Sequence, residues 1–171
     1  MALFATMLCI SAYISIPLPN GSHVTVFNLM LTLIALTFSP LESFSITAVW
    51  FLLGCVGVPV FIGGQGGLGY LLTPWGGYSF AFLIVAFFLA LACQRPYSRI
   101  YYTAAAIVSA VFLDLFGSLW YMFTSGVGLI PALLAGFVPF IAIDLVKMVI
   151  AAQIVPVFHR LVHRNLLGKN A

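Results

Sequence analysis

An aspartate and a lysine lie three residues apart inside an apolar run, "PFIAIDLVKMVIA", at residues 139–151. On a helix, Asp144 and Lys147 are about 60° apart around the axis and one turn apart along it, so they face the same way. An ionisable group in an apolar helix usually faces the protein interior and marks a ligand site or a pathway. The pair therefore predicts a site for a polar ligand that borders a cavity. The alternative is an ion pair that only fixes helix packing.

A glycine-rich segment at residues 57–78 is the second candidate for chemistry. It reads "GVPVFIGGQGGLGYLLTPWGGY" and has eight glycines in 22 residues, too many for a helix that spans a membrane. At membrane depth such backbone is tolerated only where it lines a cavity or packs against protein. We expect it to wall the same cavity and to contribute Gln65, Trp75 and Tyr78. The alternative is that the glycines only permit tight turns. The segment lacks GxxxxGK[ST], so it predicts no ATP binding.

Other titratable groups give weaker signals. Asp114 lies in a further apolar run, where it either reaches the same cavity or packs as a protonated or hydrogen-bonded residue, and the sequence leaves both open. His159 and His163 are four residues apart, but without a third ligand they favour a solvated basic face over a metal site. His23 is a weak candidate for ligand contact. No Ser and His or Cys and His arrangement falls within the apolar runs, which argues against an intramembrane enzyme that uses Asp114 or Asp144.

The composition defines the class of protein that must position these residues. The 171 residues are 64% hydrophobic and include six Lys and Arg and three Asp and Glu. With a mean hydropathy of +1.22, the chain has too little polar surface to cover a water-facing globule of 18.5 kDa. The sequence therefore predicts an all-α integral membrane protein with one domain, residues 1–171, and no nucleic-acid partner.

Six membrane-spanning helices follow from cutting the apolar runs where Pro, Gly, Asn and charged residues interrupt them. The connector at 123–138 contains "PALLAGF", long enough for a short extra helix. We expect Pro17 and Pro19 to stop the first span, and Pro156 to kink or end the sixth. The predicted spans are about 2–16, 26–38, 43–56, 78–93, 101–122 and 139–155.

The basic residues predict the orientation of these helices. Arg95 and Arg99 lie between the fourth and fifth spans, and Arg160, Arg164 and Lys169 lie in the tail. Since Lys and Arg concentrate on the cytoplasmic side, both termini are predicted to be cytoplasmic in a multi-pass protein of the inner (cytoplasmic) membrane. The longer connectors then share the outer face, and none of them has a charged residue. These connectors are residues 17–25, 57–77 and 123–138.

Three separated stretches resemble the signature of the BioY family, the biotin-binding S components of energy-coupling factor transporters. They are "ISIPLP" at 14–19, the glycine-rich segment at 57–78, and "PFIAIDLVK" at 139–147. The resemblance covers almost the whole chain and keeps the family's order. It implies six helices in an S-component bundle, a biotin pocket towards the outside, and contact of the vitamin with Asp144 and Lys147.

The chemistry of biotin suits these residues. Biotin offers two ureido N–H donors, a ureido oxygen, an apolar thioether ring and a carboxylate. Asp144 can accept from a ureido N–H, while Lys147 neutralises Asp144 and can donate to an oxygen. Trp75 and Tyr78 can cover the ring. The family commonly has Thr where this chain has Trp75, so packing in this wall is expected to differ.

The resemblance also implies partners. These are a transmembrane coupling subunit and two ATPase subunits, in addition to the lipid bilayer. The coupling subunit is expected to dock on small residues of the first helix, approximated here by Ala2 with Thr6 and Ala5 with Cys9. Biotin is the expected ligand, with no catalysis, cofactor or metal. The alternatives are an S component for a different small vitamin and a structural membrane subunit that takes no part in transport.

Overall fold

The computed structural model describes residues 1–17 and 23–161, and most of this part of the chain is helical. The described residues form eight helices and one two-stranded antiparallel hairpin. The helices are α1 (Ala2–Ser11), α2 (Phe27–Thr37), α3 (Pro40–Val56), α4 (Leu68–Leu71), α5 (Gly77–Ala92), α6 (Arg99–Ser125), α7 (Leu129–Gly136) and α8 (Val138–Leu161). The strands are β1 (Ser15–Pro17) and β2 (His23–Thr25).

The six longest apolar helices correspond to the six predicted runs, and α7 is the short helix expected in the connector at 123–138. Two of them, Arg99–Ser125 and Val138–Arg160, are long and apolar enough to cross a membrane by length and composition. The other four, α1, α2, α3 and α5, are apolar but have 10–17 residues.

The start of α3 lies three residues before the predicted one. Pro40 occupies the first turn, where its missing N–H costs nothing. Ser39 caps the helix, and Glu42 accepts from the Ser39 backbone N–H at 3.0 Å and from its Oγ at 2.8 Å. This capping box fixes the boundary between α2 and α3.

The first span was predicted too long. α1 ends at Ser11, and residues 15–17 pair with residues 23–25, with Ile16 opposite Val24. A residue that precedes proline is biased towards extended backbone, so Ile16 before Pro17 favours a strand over a last helical turn. The hairpin carries His23 to the cavity described below. Pro19 lies outside the described residues.

The sequence predicted that Pro156 kinks or ends the last helix, and the helix does not end there. α8 continues through Pro156 to Leu161. A proline removes one backbone hydrogen bond, and neighbouring helices can hold the chain helical on either side. Here the preceding turn is anchored in the core, since Ala151, Ala152 and Val155 are all buried.

An aromatic cluster fixes the glycine-rich segment against the helices. Trp50 of α3 lies 4.5 Å from Phe27 and 5.3 Å from Phe61 between ring centroids, and its Nε1 donates to the carbonyl of Val60 at 2.8 Å. Gly54 is needed for this approach, because a Cβ there would lie 2.3 Å from the Phe61 ring. The segment is thereby fixed to α3.

Candidate functional site

A cavity of about 210 Å³ lies between the hairpin, the glycine-rich segment and helices α2, α5, α6 and α8. The helices around it pack directly on one another, α2 and α6 against α8 and α5 against α6. A mostly apolar cavity with a few fixed polar groups is the usual form of a small-molecule site. Its polar and charged lining comprises His23, Thr25, Asn28, Gln65, Thr73, Asp114, Asp144 and Lys147.

The structure places Asp144 and Lys147 of α8 on the wall of this cavity. Lys147 Nζ lies 2.7 Å from Asp144 Oδ1, and the two side chains are 15% and 3% exposed. The three-residue spacing on one helix sets this contact. The pair is neutral as a whole and has an open cavity beside it, so it presents polar atoms to a ligand without burying an uncompensated charge.

Asn28 of α2 completes this group, and the sequence reasoning missed it. Its Nδ2 donates to Asp144 Oδ2 at 2.6 Å, so both carboxylate oxygens of Asp144 have a partner. Asn28 Oδ1 has no hydrogen-bond partner among the described residues. The sequence did contain a signal for Asn28. It is an amide inside the apolar run "VFNLMLTL", and a buried polar side chain in such a run needs a hydrogen-bond partner. We call Asn28, Asp144 and Lys147 the polar triad.

Trp75 and Tyr78 lie together on the aromatic wall of the cavity, with Phe140 of α8 against both. The ring centroids of Trp75 and Tyr78 are 6.2 Å apart and nearly parallel, and Phe140 meets both rings edge-on. Tyr78 Oη donates to the carbonyl of Gly136 at 2.6 Å. The hydroxyl is therefore already partnered, and Tyr78 offers the cavity mainly its ring.

Gln65 also lines the cavity but is an exposed residue. Its carbonyl accepts from the Phe61 N–H at 2.9 Å across a tight loop. Gly63 and Gly64 in this loop have φ of +75° and +71°, values that favour glycine. Gly63 also lies against the His23 ring, where a Cβ would approach Nε2 to 2.9 Å. Some glycines thus serve tight turns while the segment as a whole forms a wall.

Tyr70, between the predicted spans, is a second residue of the cavity wall that sequence reasoning missed. Its ring stacks on Phe61 at 5.0 Å between centroids. Burial raises the pKa of Tyr70 to about 12, so its hydroxyl is neutral at physiological pH and acts as a hydrogen-bonding group.

Asp114 of α6 reaches the cavity, the first of the two alternatives that the sequence left open. It is fully buried, and neither carboxyl oxygen has a hydrogen-bond partner among the described residues. The cavity wall thus contains two acids in different surroundings.

The residues suggested for docking divide between two environments. Ala2 and Thr6 are exposed, and Thr6 Oγ1 donates to the Ala2 carbonyl at 3.0 Å. Ala5 is buried in the core and Cys9 is partly buried. Of the two pairs, Ala2 with Thr6 is therefore the one in which both residues are accessible to a partner.

No group of three or more His, Cys, Asp or Glu side chains that could hold a metal occurs in the part of the chain that the structure describes. His159 is exposed on the last turns of α8. His163, Arg164 and Lys169 lie outside the described residues.

A comparison with known protein families identifies the family of this chain. A sequence model described as the BioY family matches residues 1–164. The chain belongs to the BioY family. The membership predicted from three short signatures is thereby confirmed over almost the full length.

Relatives of this BioY family member include proteins named as biotin transporters. It is 33% identical over 153 residues to the "Biotin transporter BioY" of Thermotoga maritima, covering 89% of each chain. It is 30% identical over 151 residues to "Biotin transporter BioY2" of Lactococcus lactis, covering 88% of this chain and 82% of the relative.

A solved structure shares the fold of this BioY family member. It is the crystal structure of the S-component for biotin from an ECF-type ABC transporter, with a TM-score of 0.81 and 22% sequence identity. The match covers 93% of this chain and 88% of the other. The predicted helical bundle of the S-component type is confirmed.

Proposed function

We propose that this BioY family member binds biotin in the cavity described above and is the substrate-binding S component of an energy-coupling factor transporter. The observation that carries the proposal is the polar triad. It is an ion pair with a 2.7 Å contact, held by Asn28 and placed on the wall of a small-molecule cavity. Membership of a family with relatives named biotin transporters supports biotin as the ligand.

The polar triad suits the cyclic urea of biotin. Asp144 is an ionised carboxylate whose remaining lone pairs can accept from a ureido N–H, and Lys147 can donate to an oxygen of the ligand. Asn28 Oδ1 is a further buried acceptor without a partner among the described residues. Trp75, Tyr78 and Phe140 offer the apolar faces that the thioether ring requires. The protein binds the vitamin and leaves it chemically unchanged.

The proposed topology has six membrane spans in the inner membrane, with both termini in the cytoplasm. Helices of 10–17 residues are short for a bilayer core of about 30 Å, so the shorter helices rely on the hairpin, the glycine-rich segment and α7 to complete the outer layer. Arg95, Arg99 and Arg160 mark the cytoplasmic side. The cavity then opens outwards.

Energy for uptake comes from partners in this proposal. The sequence has no GxxxxGK[ST] motif for nucleotide phosphates. A transmembrane coupling subunit and two ATPase subunits are the proposed partners. Exposed Ala2 and Thr6 on α1 form the part of the predicted docking ladder that is accessible to such a subunit.

Mass spectrometry of small molecules released from the detergent-purified protein tests the ligand. We expect biotin in the released fraction, and saturable binding of added biotin that thiamine and riboflavin do not displace. Displacement by either of those vitamins would assign the cavity to another ligand. A matched control is Gln153→Leu. Gln153 lies on the same helix as Asp144 but does not line the cavity, and its Nε2 donates to Thr103 Oγ1 at 3.1 Å.

A further inference from the structure

Asp114 is a buried acid that has no side-chain hydrogen-bond partner among the residues that the structure describes. It lies at 0% exposure on α6, lines the cavity, and both of its carboxyl oxygens lack a hydrogen bond to any described residue. Buried polar atoms in folded proteins are nearly always satisfied. Two unsatisfied oxygens on a residue that lines the cavity therefore point to a ligand that satisfies them.

The charges around the cavity decide what form this acid takes. The charged or titratable lining residues among those described are His23, Tyr70, Tyr78, Asp114, Asp144 and Lys147. Lys147 forms an ion pair with Asp144 at 2.7 Å, and the Tyr78 hydroxyl donates a hydrogen bond to the Gly136 carbonyl. Asp114 is thus left without a cation, and a second unpaired negative charge at this depth is costly. The neutral carboxylic acid is therefore the less costly form of this group.

A neutral carboxylic acid has an O–H donor beside a carbonyl acceptor. A cyclic urea presents the complementary edge, an N–H donor beside a carbonyl acceptor, so the two groups can form a pair of hydrogen bonds in one ring. An ionised carboxylate such as Asp144 offers acceptors alone. A ligand with two N–H groups on one urea ring can satisfy both acids at once.

We propose that Asp114 is a specificity-determining residue that contacts the ureido ring of the ligand as a neutral acid, donating to the ureido oxygen and accepting from one N–H. The other N–H goes to the polar triad. This inference rests on the proposed function, since it takes biotin as the ligand. It assigns α6 a direct part in recognising the urea, in addition to α8.

Calorimetric titration of biotin into purified wild type, Asp114→Asn and Asp114→Leu tests the contact. A carboxamide also has a donor beside an acceptor, so Asp114→Asn should bind biotin within about threefold of wild type. Asp114→Leu removes both groups and should weaken binding by about tenfold or more. Gln153→Leu should leave binding unchanged.

Biotin analogues methylated on one or the other ureido nitrogen separate a direct contact from an indirect one. The isomer that lacks the N–H facing Asp114 should lose more affinity in wild type than in Asp114→Leu, because the contact is already absent in the variant. Equal losses of both isomers in wild type and variant would overturn the contact.

The outcomes distinguish this inference from the proposed function. If wild type does not bind biotin, both are overturned. If wild type binds but Asp114→Leu binds equally well, the role of Asp114 alone is overturned. If Asp114→Leu does not fold, Asp114→Asn decides, because a loss of tenfold or more in a variant with an unchanged melting temperature would contradict the neutral acid.

Discussion

The α8 wall and the α6 wall of the cavity each contain one acid, and the two acids have opposite surroundings. On α8, Asp144 has Lys147 on one oxygen at 2.7 Å and Asn28 on the other at 2.6 Å. On α6, Asp114 has no partner for either oxygen among the described residues. Both oxygens of Asp144 are therefore paired within the protein, while in our proposal the oxygens of Asp114 are paired by the ligand. Pre-organised charge gives orientation, and an unsatisfied group gives discrimination against ligands that cannot pair with it.

Removing the Lys147 cation should have the largest effect of the tests of this contrast between Asp144 and Asp114. Lys147→Met leaves the buried Asp144 with Asn28 but without the cation that neutralises it, so the carboxyl group is buried at a cost, whether it stays charged or takes up a proton. We expect a loss of about 3–5 kcal/mol in the free energy of unfolding, measured by thermal or denaturant unfolding in detergent. Adding Asp144→Asn to Lys147→Met should recover part of this loss, because the unpaired charge is then removed. A double variant less stable than Lys147→Met would contradict the account.

Removing the amide is the next largest test. Asn28→Leu takes one hydrogen bond from the Asp144 carboxylate but leaves the ion pair in place. Biotin affinity should fall by about 1.5 kcal/mol, near the lower limit for a hydrogen bond to a charged group, because Lys147 still neutralises the acid. Calorimetric titration measures it, with Gln153→Leu as control. Unchanged affinity would remove Asn28 from the recognition group.

Gln65, an exposed residue of the same cavity, is expected to give the smallest effect on binding. Gln65 lines the cavity from the glycine-rich segment but is open to solvent, and its backbone carbonyl, which accepts from Phe61, does not depend on its side chain. Gln65→Ala should change biotin affinity by less than about 0.5 kcal/mol. A loss as large as that of Asn28→Leu would show that the segment closes over the ligand and buries this side chain.

Much of the helical framework follows from local sequence. The end of α2 just before Pro40 and the common facing of Asp144 and Lys147 are set by chain neighbours, and the sequence predicted both. The start of α3 is also set locally, by Pro40 and by Glu42 three residues after Ser39, but it was predicted three residues too late. The hairpin is different, since Ser15–Pro17 depends on pairing with a strand eight residues later. Likewise, the passage of α8 through Pro156 depends on packing against other helices.

The same division holds within the site. The ion pair is local and was predicted, whereas Asn28 meets Asp144 across 116 residues of sequence, and only the packing of α2 on α8 brings them together. Asp114 shows the limit most clearly. Its sequence neighbourhood allows either a packing residue or a cavity residue, and only the arrangement of α6 against α5 and α8 places it on the cavity.

Parallel titration of biotin into wild type, Asp144→Asn and Asp114→Asn tests the contrast between the two walls most directly. The ionised acid should not tolerate the amide, so Asp144→Asn should lose about 1.5–3 kcal/mol of binding free energy. The neutral acid should tolerate it, so Asp114→Asn should stay within about threefold of wild type. Unchanged binding in Asp144→Asn, or equal losses in the two variants, would contradict the account.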